Sequence, residues 1–358
     1  GMSGGCMRKT HERLVATGMP PDVGGCKTNW QDRDLESWHR YWGTTGPVGL
    51  DFSLAWGQEG FRTTERREGE YLVIESENGS VTRQLVDNAD TYSMPEYRVY
   101  PVRDRASWEF YRQRTAPRSF MTEDQMEENC RRFDKRDRPR VISTGSTFGR
   151  VRSLMGTEAA SLALYDDPGL VHEIINSFRE YNRRYVFPLI ERLRPEVVAC
   201  WEDIGYKTSM LINPHQFREF CAPLYREVAE CAQASGVTVL TVDSDGCAME
   251  LVPLLVECGF NSLYPFEAKA NNDLFALRER FPELVAFGWL EKEVINEGNE
   301  DQIEPEIRSK VPPLLKTGRY FPNGDHGIQP PATFKGLRRF MTVLHQVCNN
   351  PEGQFPRA

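Results

Sequence analysis

The sequence predicts an α/β protein: a (β/α)8 TIM barrel with an N-terminal elaboration that contains a β-hairpin. Three observations carry this. From residue 141 onward, short apolar, β-branched or aromatic runs alternate with helical stretches. Five of those runs end, one after another, in acidic residues, a lysine or a histidine. The 358 residues suffice for one barrel of about 250 residues with an addition of about a hundred. The implied division is residues 1–140 as an elaboration packed on the barrel and residues 141–358 as its main part, together one structural domain.

In chain order, residues 1–60 read as irregular, with Trp30, Trp38 and Trp42 and a charged helix-like segment over Asp32–Tyr41. Glu70–Glu77 and Ser80–Leu85 alternate as strands on either side of Asn78-Gly79, a strong hairpin signal. Asp104–Arg114 and Thr122–Arg136 are charged surface helices, and Val141–Gly145 opens the denser rhythm. Gly156–Tyr165 is helical, Asp166-Asp167-Pro168 marks a stop and restart, and Gly169–Leu193 is a long helix. Helices follow over His215–Ser235, Ala248–Cys258, Asn272–Phe281, Glu304–Lys316 (interrupted by Pro312-Pro313) and Thr333–Val347.

The five polar tips are Glu202 and Asp203 after Val197–Trp201, Asp243 and Asp245 after Val237–Val242, and Glu267 after Ser262–Phe266. Glu291 and Lys292 follow Val285–Gly288, and Asp325 and His326 follow Arg319–Pro322. Barrel enzymes place their catalytic groups at the C-terminal strand ends, so five such tips imply one converging site. A single acidic residue after a strand can equally cap the next helix.

A net charge of −8 and a pI near 5.5 argue against non-specific nucleic-acid binding. No apolar run reaches the ~20 residues of a membrane span, and Met2–Thr17, with Arg8, Lys9, His11, Glu12 and Arg13, lacks a signal-peptide core. Nine cysteines without a CxxC pair read as reduced thiols of a cytoplasmic protein.

Asp243 and Asp245 share one face if the strand continues. They can bind a divalent metal with His326 and Glu202, in an oxygen-rich site suited to Zn, Mn, Fe or Mg. Alternatively, one carboxylate stays protonated as a general acid. Lys207 and Tyr206 can hold a substrate anion, as can Arg150, which with Arg152 follows the hydroxyl-rich loop Gly145–Gly149. Glu267 and Lys292 can pair across neighbouring tips. His172 and His345 read as solvated or packed, and His215, in a helix's first turn after Asn213-Pro214, as structural.

The segments Trp201–Lys207, Ile212–Phe217, Val242–Gly246, Leu263–Glu267, Gly288–Lys292 and Gly318–Gly327 together resemble the uroporphyrinogen decarboxylase superfamily, which includes cobalamin-dependent methyltransferases. The resemblance covers about residues 141–347 and implies a (β/α)8 barrel. The decarboxylases' Arg-Gln-Ala-Gly-Arg segment is missing. Where the methyltransferase branch is similar in a zinc-holding His-x-Cys pair, this chain has Asp243-Ser244-Asp245, and at the later cysteine position Asn323-Gly324-Asp325-His326.

The resemblance implies a methyltransferase acting with a separate corrinoid protein on a small polar substrate. The alternatives are a decarboxylase of a tetrapyrrole or other carboxylated substrate, and a non-catalytic corrinoid- or tetrapyrrole-binding protein. The chain has no Asp-x-His-x-x-Gly segment of the corrinoid-binding kind, so a corrinoid is expected only through a partner. The expected catalytic set is Asp243, Asp245, His326, Glu202 and Glu267; the substrate-binding set is Arg150, Lys207, Tyr206 and Lys292. A divalent metal, Zn among the choices, is expected on Asp243, Asp245 and His326. A homodimer stays open.

Overall fold

In the computed structural model the strands are, in chain order, Val48–Gly49 (β1), Thr64–Glu68 (β2), Tyr71–Glu75 (β3), Val81–Leu85 (β4), Glu96–Val99 (β5), Arg140–Thr144 (β6), Val197–Trp201 (β7), Val239–Asp243 (β8), Ser262–Phe266 (β9), Val285–Leu290 (β10) and Tyr320–Gly324 (β11). The structure describes residues 6, 8–24, 34–49, 63–76, 78–86, 95–114, 123–135, 137–350 and 353–357. Trp30, Glu77 and the ends Asp32, Thr122 and Arg136 of the expected elements lie outside them.

Seven strands form one parallel sheet in the order β1-β6-β7-β8-β9-β10-β11. This is an α/β half-barrel, and among the described residues it is open rather than the closed eight-stranded barrel expected. β1 offers only two residues, both registered with β6 as Val48↔Arg140 and Gly49↔Val141. Beyond the end of β11, the single parallel bridge Cys6↔Ile328 stands where a ladder would close the sheet. The first strand of the sheet thus comes from the N-terminal 140 residues.

Strand alternation divides the sheet into two faces. Ile142, Val198, Cys200, Leu240, Val242, Leu263 and Ala286 are buried against the helices. Ser143, Ala199, Trp201, Thr241, Tyr264, Phe287 and Phe321 occupy the inner face. Trp201 is 46% and Phe321 50% exposed there. Phe287 stacks on Phe321 with centroids 4.8 Å apart, as cross-strand aromatic neighbours in register do.

The expected hairpin is present. β3 and β4 pair antiparallel, Gly79 takes φ +83°, and the Asn78 side chain accepts from the Ser80 amide at 2.9 Å. β2 and β5 extend it to a four-stranded antiparallel sheet.

Three expectations are corrected. Residues 1–60 are less irregular than expected: Arg8–Ala16 is also a helix, while the helix-like segment expected over Asp32–Tyr41 is the helix Leu35–Trp42, which buries Trp38 and Trp42 completely. The helix Ile303–Thr317 runs through Pro312 and Pro313 without interruption. Its buried face of Ile303, Ile307, Val311 and Leu314 and the Glu306–Lys310 ion pair at 2.6 Å hold it despite the lost N–H donors. The long helix expected over Gly169–Leu193 runs as Pro168–Tyr181 and Phe187–Leu193, joined by a π-helical turn at Asn182–Val186.

Candidate functional site

At the C-terminal ends of β8 and β11, His326 stands between Asp245 and Asp325, with Asp243 within electrostatic reach. His326 Nε2 lies 3.1 Å from Asp245 Oδ1, and its Nδ1 lies 3.6 Å from Asp325 Oδ1, an ion-pair distance rather than a hydrogen bond. Asp325 is almost fully buried, and its Oδ2 accepts from the Ala268 amide at 2.9 Å. Burial works to lower the His326 pKa, but the hydrogen bond to Asp245 and the pairing with Asp325 outweigh it and raise it to about 10. His326 is therefore an imidazolium at neutral pH. Burial raises the Asp325 carboxyl, yet His326, the Ala268 amide and Lys292 leave it below its ordinary value.

Asp243 ends β8 in register with Trp201 on one side and Tyr264 on the other. Burial pushes its carboxyl up to about 7; repulsion from Asp245 and Asp203 adds to this, and His326 opposes it. A carboxyl raised toward neutrality within reach of a fixed positive charge has the capacity to donate a proton near neutral pH.

Two glycines lock the tips of β7 and β8 together. A Cβ on Gly205 would lie 2.2 Å from the Asp245 carbonyl oxygen, and one on Gly246, at φ +87°, 2.6 Å from the Tyr206 carbonyl oxygen. Only residues without a side chain allow this approach. Ser244 Oγ accepts from the amides of Ile204 and Gly205, both at 3.0 Å. Glu267 Oε2 accepts from the Gly246 amide at 2.9 Å, and Asn272 Nδ2 donates to the Gly246 carbonyl at 2.9 Å. Glu267 and Asn272 thus position the Asp245 loop.

The other expected residues fall elsewhere. Glu202 is completely buried, and its carboxylate accepts from Thr147 N at 2.9 Å, Thr147 Oγ1 at 2.8 Å, Gly149 N at 2.6 Å and the Tyr225 hydroxyl. It caps the helix Phe148–Met155, whose own N-cap Thr147 makes no side-chain capping bond. The structure therefore does not bring Glu202 into the acid/base group. Tyr206 and Lys207 are exposed on the β7 loop. Lys292 is largely buried, 3.6 Å from Glu293, and acts electrostatically on His326 and Asp325. No ion pair joins it to Glu267 among the described residues. Arg150 lies on the helix Phe148–Met155 with its guanidinium 4.9 Å from the Phe178 ring. His215 is exposed, His172 packs on Phe220, and His345 is buried against the Trp42 carbonyl.

Sequence reasoning named Asp325 and Asp203 at the tips without giving them a role. Asp203 takes φ +49° and pairs with Arg152 at 2.8 Å. Asn272 was missed, since an asparagine opening a helix gives no signal beyond capping.

Among the described residues, no three His, Cys, Asp or Glu side chains converge to hold a metal ion. Asp245 Oδ1 is engaged by His326 Nε2, Ser244 Oγ by two amides, and no thiolate stands at the position of the resembling branch's ligands. The residues present do not fit a zinc–thiolate site.

A search of the curated proteins returns no match. Over 96% of this chain and 98% of the other, the fold is similar to a methyltransferase from Methanosarcina mazei, with a TM-score of 0.57 at 15% identity. A DHDPS from Cyanidioschyzon merolae with lysine bound aligns over 66% of this chain and 62% of its own at 13% identity, with a TM-score of 0.28. The family model described as Uroporphyrinogen decarboxylase (URO-D) matches residues 135–347, well over half of the chain and every strand tip described above. The chain belongs to the uroporphyrinogen decarboxylase family.

Proposed function

We propose that the chain is an enzyme transferring a methyl group from a small polar substrate to a corrinoid carried by a separate protein. The observation that carries this is Asp243, a carboxyl titrating at about 7, in register with the half-exposed Trp201 on the open inner face. When a methyl group leaves a substrate heteroatom, the bonding pair stays on that heteroatom. Asp243 donates its proton there, which neutralises the leaving group. The His326 imidazolium, fixed by Asp245 and Asp325, supplies a positive charge that needs no reorganisation during the step. Trp201, Tyr264 and Phe287 give the substrate an aromatic wall. The corrinoid supplies the methyl acceptor when its protein is docked. The full-length likeness to a methyltransferase supports this reading.

The decisive experiment is anaerobic incubation with reduced cobalamin and panels of methylated amines, aryl methyl ethers and methyl thioethers, following the absorbance change on methylation. Turnover of one panel, reduced at least 100-fold by Asp243→Asn, supports the reading; no turnover of any panel counts against it.

The second reading is decarboxylation, favoured by the family-model match. Asp243 would then protonate the carbon that loses CO2. The missing arginine segment and the carboxylates Asp203, Asp243, Asp245 and Asp325 at the strand ends disfavour a substrate with many carboxylates. Release of CO2 from a supplied acid, abolished by Asp243→Asn, would install this reading in place of methyl transfer.

A further inference from the structure

Near the end of β6, two buried side chains carry polar atoms that have no hydrogen-bond partner. Asn182 is completely buried, and neither its amide nitrogen nor its amide oxygen has a hydrogen-bond partner. The Nε of Arg150 is likewise buried and unpartnered. Most buried polar groups are hydrogen-bonded, and a guanidinium stays charged in a protein. Two such groups side by side call for an explanation.

Their placement is shared. The Arg150 guanidinium lies over the Phe178 ring at 4.9 Å, and Asn182 follows Phe178 by one turn, on the same helix face. Gly145, the first residue after β6, fits against both: a Cβ there would sit 3.7 Å from Phe178 Cδ1 and 3.9 Å from Asn182 Oδ1. Asn182 opens the π-helical turn Asn182–Val186, an irregularity often found at functional sites. Tyr111 acts on the charge of Arg150. No carboxylate does so among the described residues. The Phe178 face offsets part of the burial of the charge but neutralises none of it.

We infer that Arg150 and Asn182 form a subsite for a single carboxylate group of the substrate. The guanidinium fork matches a carboxylate in plane, and the Asn182 amide supplies a further N–H donor. The aromatic ring of Phe178 holds the guanidinium flat for this contact. The inference deepens the functional reading by naming the handle by which a substrate is held, so it rests on the strand ends taking a substrate. Because its test reads binding, failure of methyl transfer and failure of the subsite remain distinguishable.

The test uses thermal unfolding of the full chain with sodium acetate, then sodium succinate, at constant ionic strength set with sodium chloride, and with acetamide as the uncharged isostere. Acetate is expected to raise the midpoint by a few degrees and to saturate, as ligand linkage requires, while acetamide does nothing. Arg150→Gln should lose the acetate response. Asn182→Asp places a carboxylate beside the guanidinium, so it should raise the midpoint without ligand and abolish the acetate response. An acetate response retained in Arg150→Gln overturns the inference. So does the absence of a saturable response in the wild-type chain, or an Asn182→Asp variant less stable than the wild type. If Arg150→Gln does not fold, Asn182→Asp alone decides.

Discussion

His326 Nε2 stands 3.1 Å from Asp245 Oδ1, which ties the end of β11 to the end of β8 although two strands separate them in the sheet. The bond crosses the concave face and fixes the charge state of the ring. Because the folded His326 pKa, about 10, lies above its ordinary 6.5, the pair stabilises the fold fully below pH 6.5. That contribution is lost as pH rises through 10. Proton–nitrogen NMR of the imidazole should show both ring nitrogens protonated at pH 8. Asp245→Asn should lower the His326 pKa by at least one unit, and a neutral ring at pH 8 in the wild type would refute the assignment.

Asp243 runs the other way. Its folded pKa, about 7, is above the ordinary 3.8, so the folded state holds a proton that the unfolded chain releases. Its burial therefore costs nothing below pH 3.8 and progressively more as pH rises to 7. Asp243→Asn should raise stability at pH 8 by roughly 1–3 kcal/mol, since a raised carboxyl represents differential burial of charge. The same variant should lose at least 100-fold in turnover. The wild-type rate should fall with a single proton loss near pH 7. Denaturant melts at pH 5 and pH 8 with a pH–rate profile check both halves.

These residues and Asp245 were legible in the sequence because the chemistry sat on the period-two pattern of strands. Asp243, Asp245 and His326 each follow an apolar run, and the runs became β8 and β11. Glu202 carried the same signal and has a different task. A sequence shows that a carboxylate ends a strand, not that amides from the neighbouring loop await it. The closed barrel was over-read for a related reason. Strand periodicity says nothing about the seam, which depends on β1, a two-residue strand with no pattern to find. Asn182 and Asn272 gave no signal, because their significance lies in partners that are absent in one case and distant in sequence in the other.

Glu202 separates structural from catalytic importance. Its carboxylate satisfies two amides, a threonine hydroxyl and the Tyr225 hydroxyl in a site with no solvent access. Glu202→Ala should cost about 3–5 kcal/mol of stability, because several buried donors lose their acceptor at once. Glu202→Gln should lose less, keeping one acceptor oxygen. The Cys200 and Tyr225 environments, with burial holding both groups protonated, argue that nothing else there can take the donors. Urea melts of both variants test this, and an alanine variant as stable as the wild type but inactive would return Glu202 to the catalytic group.

The glycine lock offers the most selective perturbation of the site. Gly205 and Gly246 let the β7 and β8 loops meet within distances that a methyl group forbids, 2.2 Å to the Asp245 carbonyl oxygen in the first case. Backbone, not a flexible side-chain end, blocks that methyl, so Gly205→Ala must push the loops apart. The loops lie at the strand ends, away from the buried face of Val198, Leu240 and Val242, so the fold should persist with a stability loss of roughly 1–3 kcal/mol. Asp245 moves with its loop and loosens its hold on His326, so the ring pKa should fall toward 6.5 as in Asp245→Asn. Gly246→Ala should do the same with added strain, because its φ of +87° suits only glycine. The pKa of His326 by NMR, measured beside circular dichroism, distinguishes this from general unfolding. A Gly205→Ala variant with native dichroism and an unchanged His326 pKa would show that the lock does not position the acid/base group.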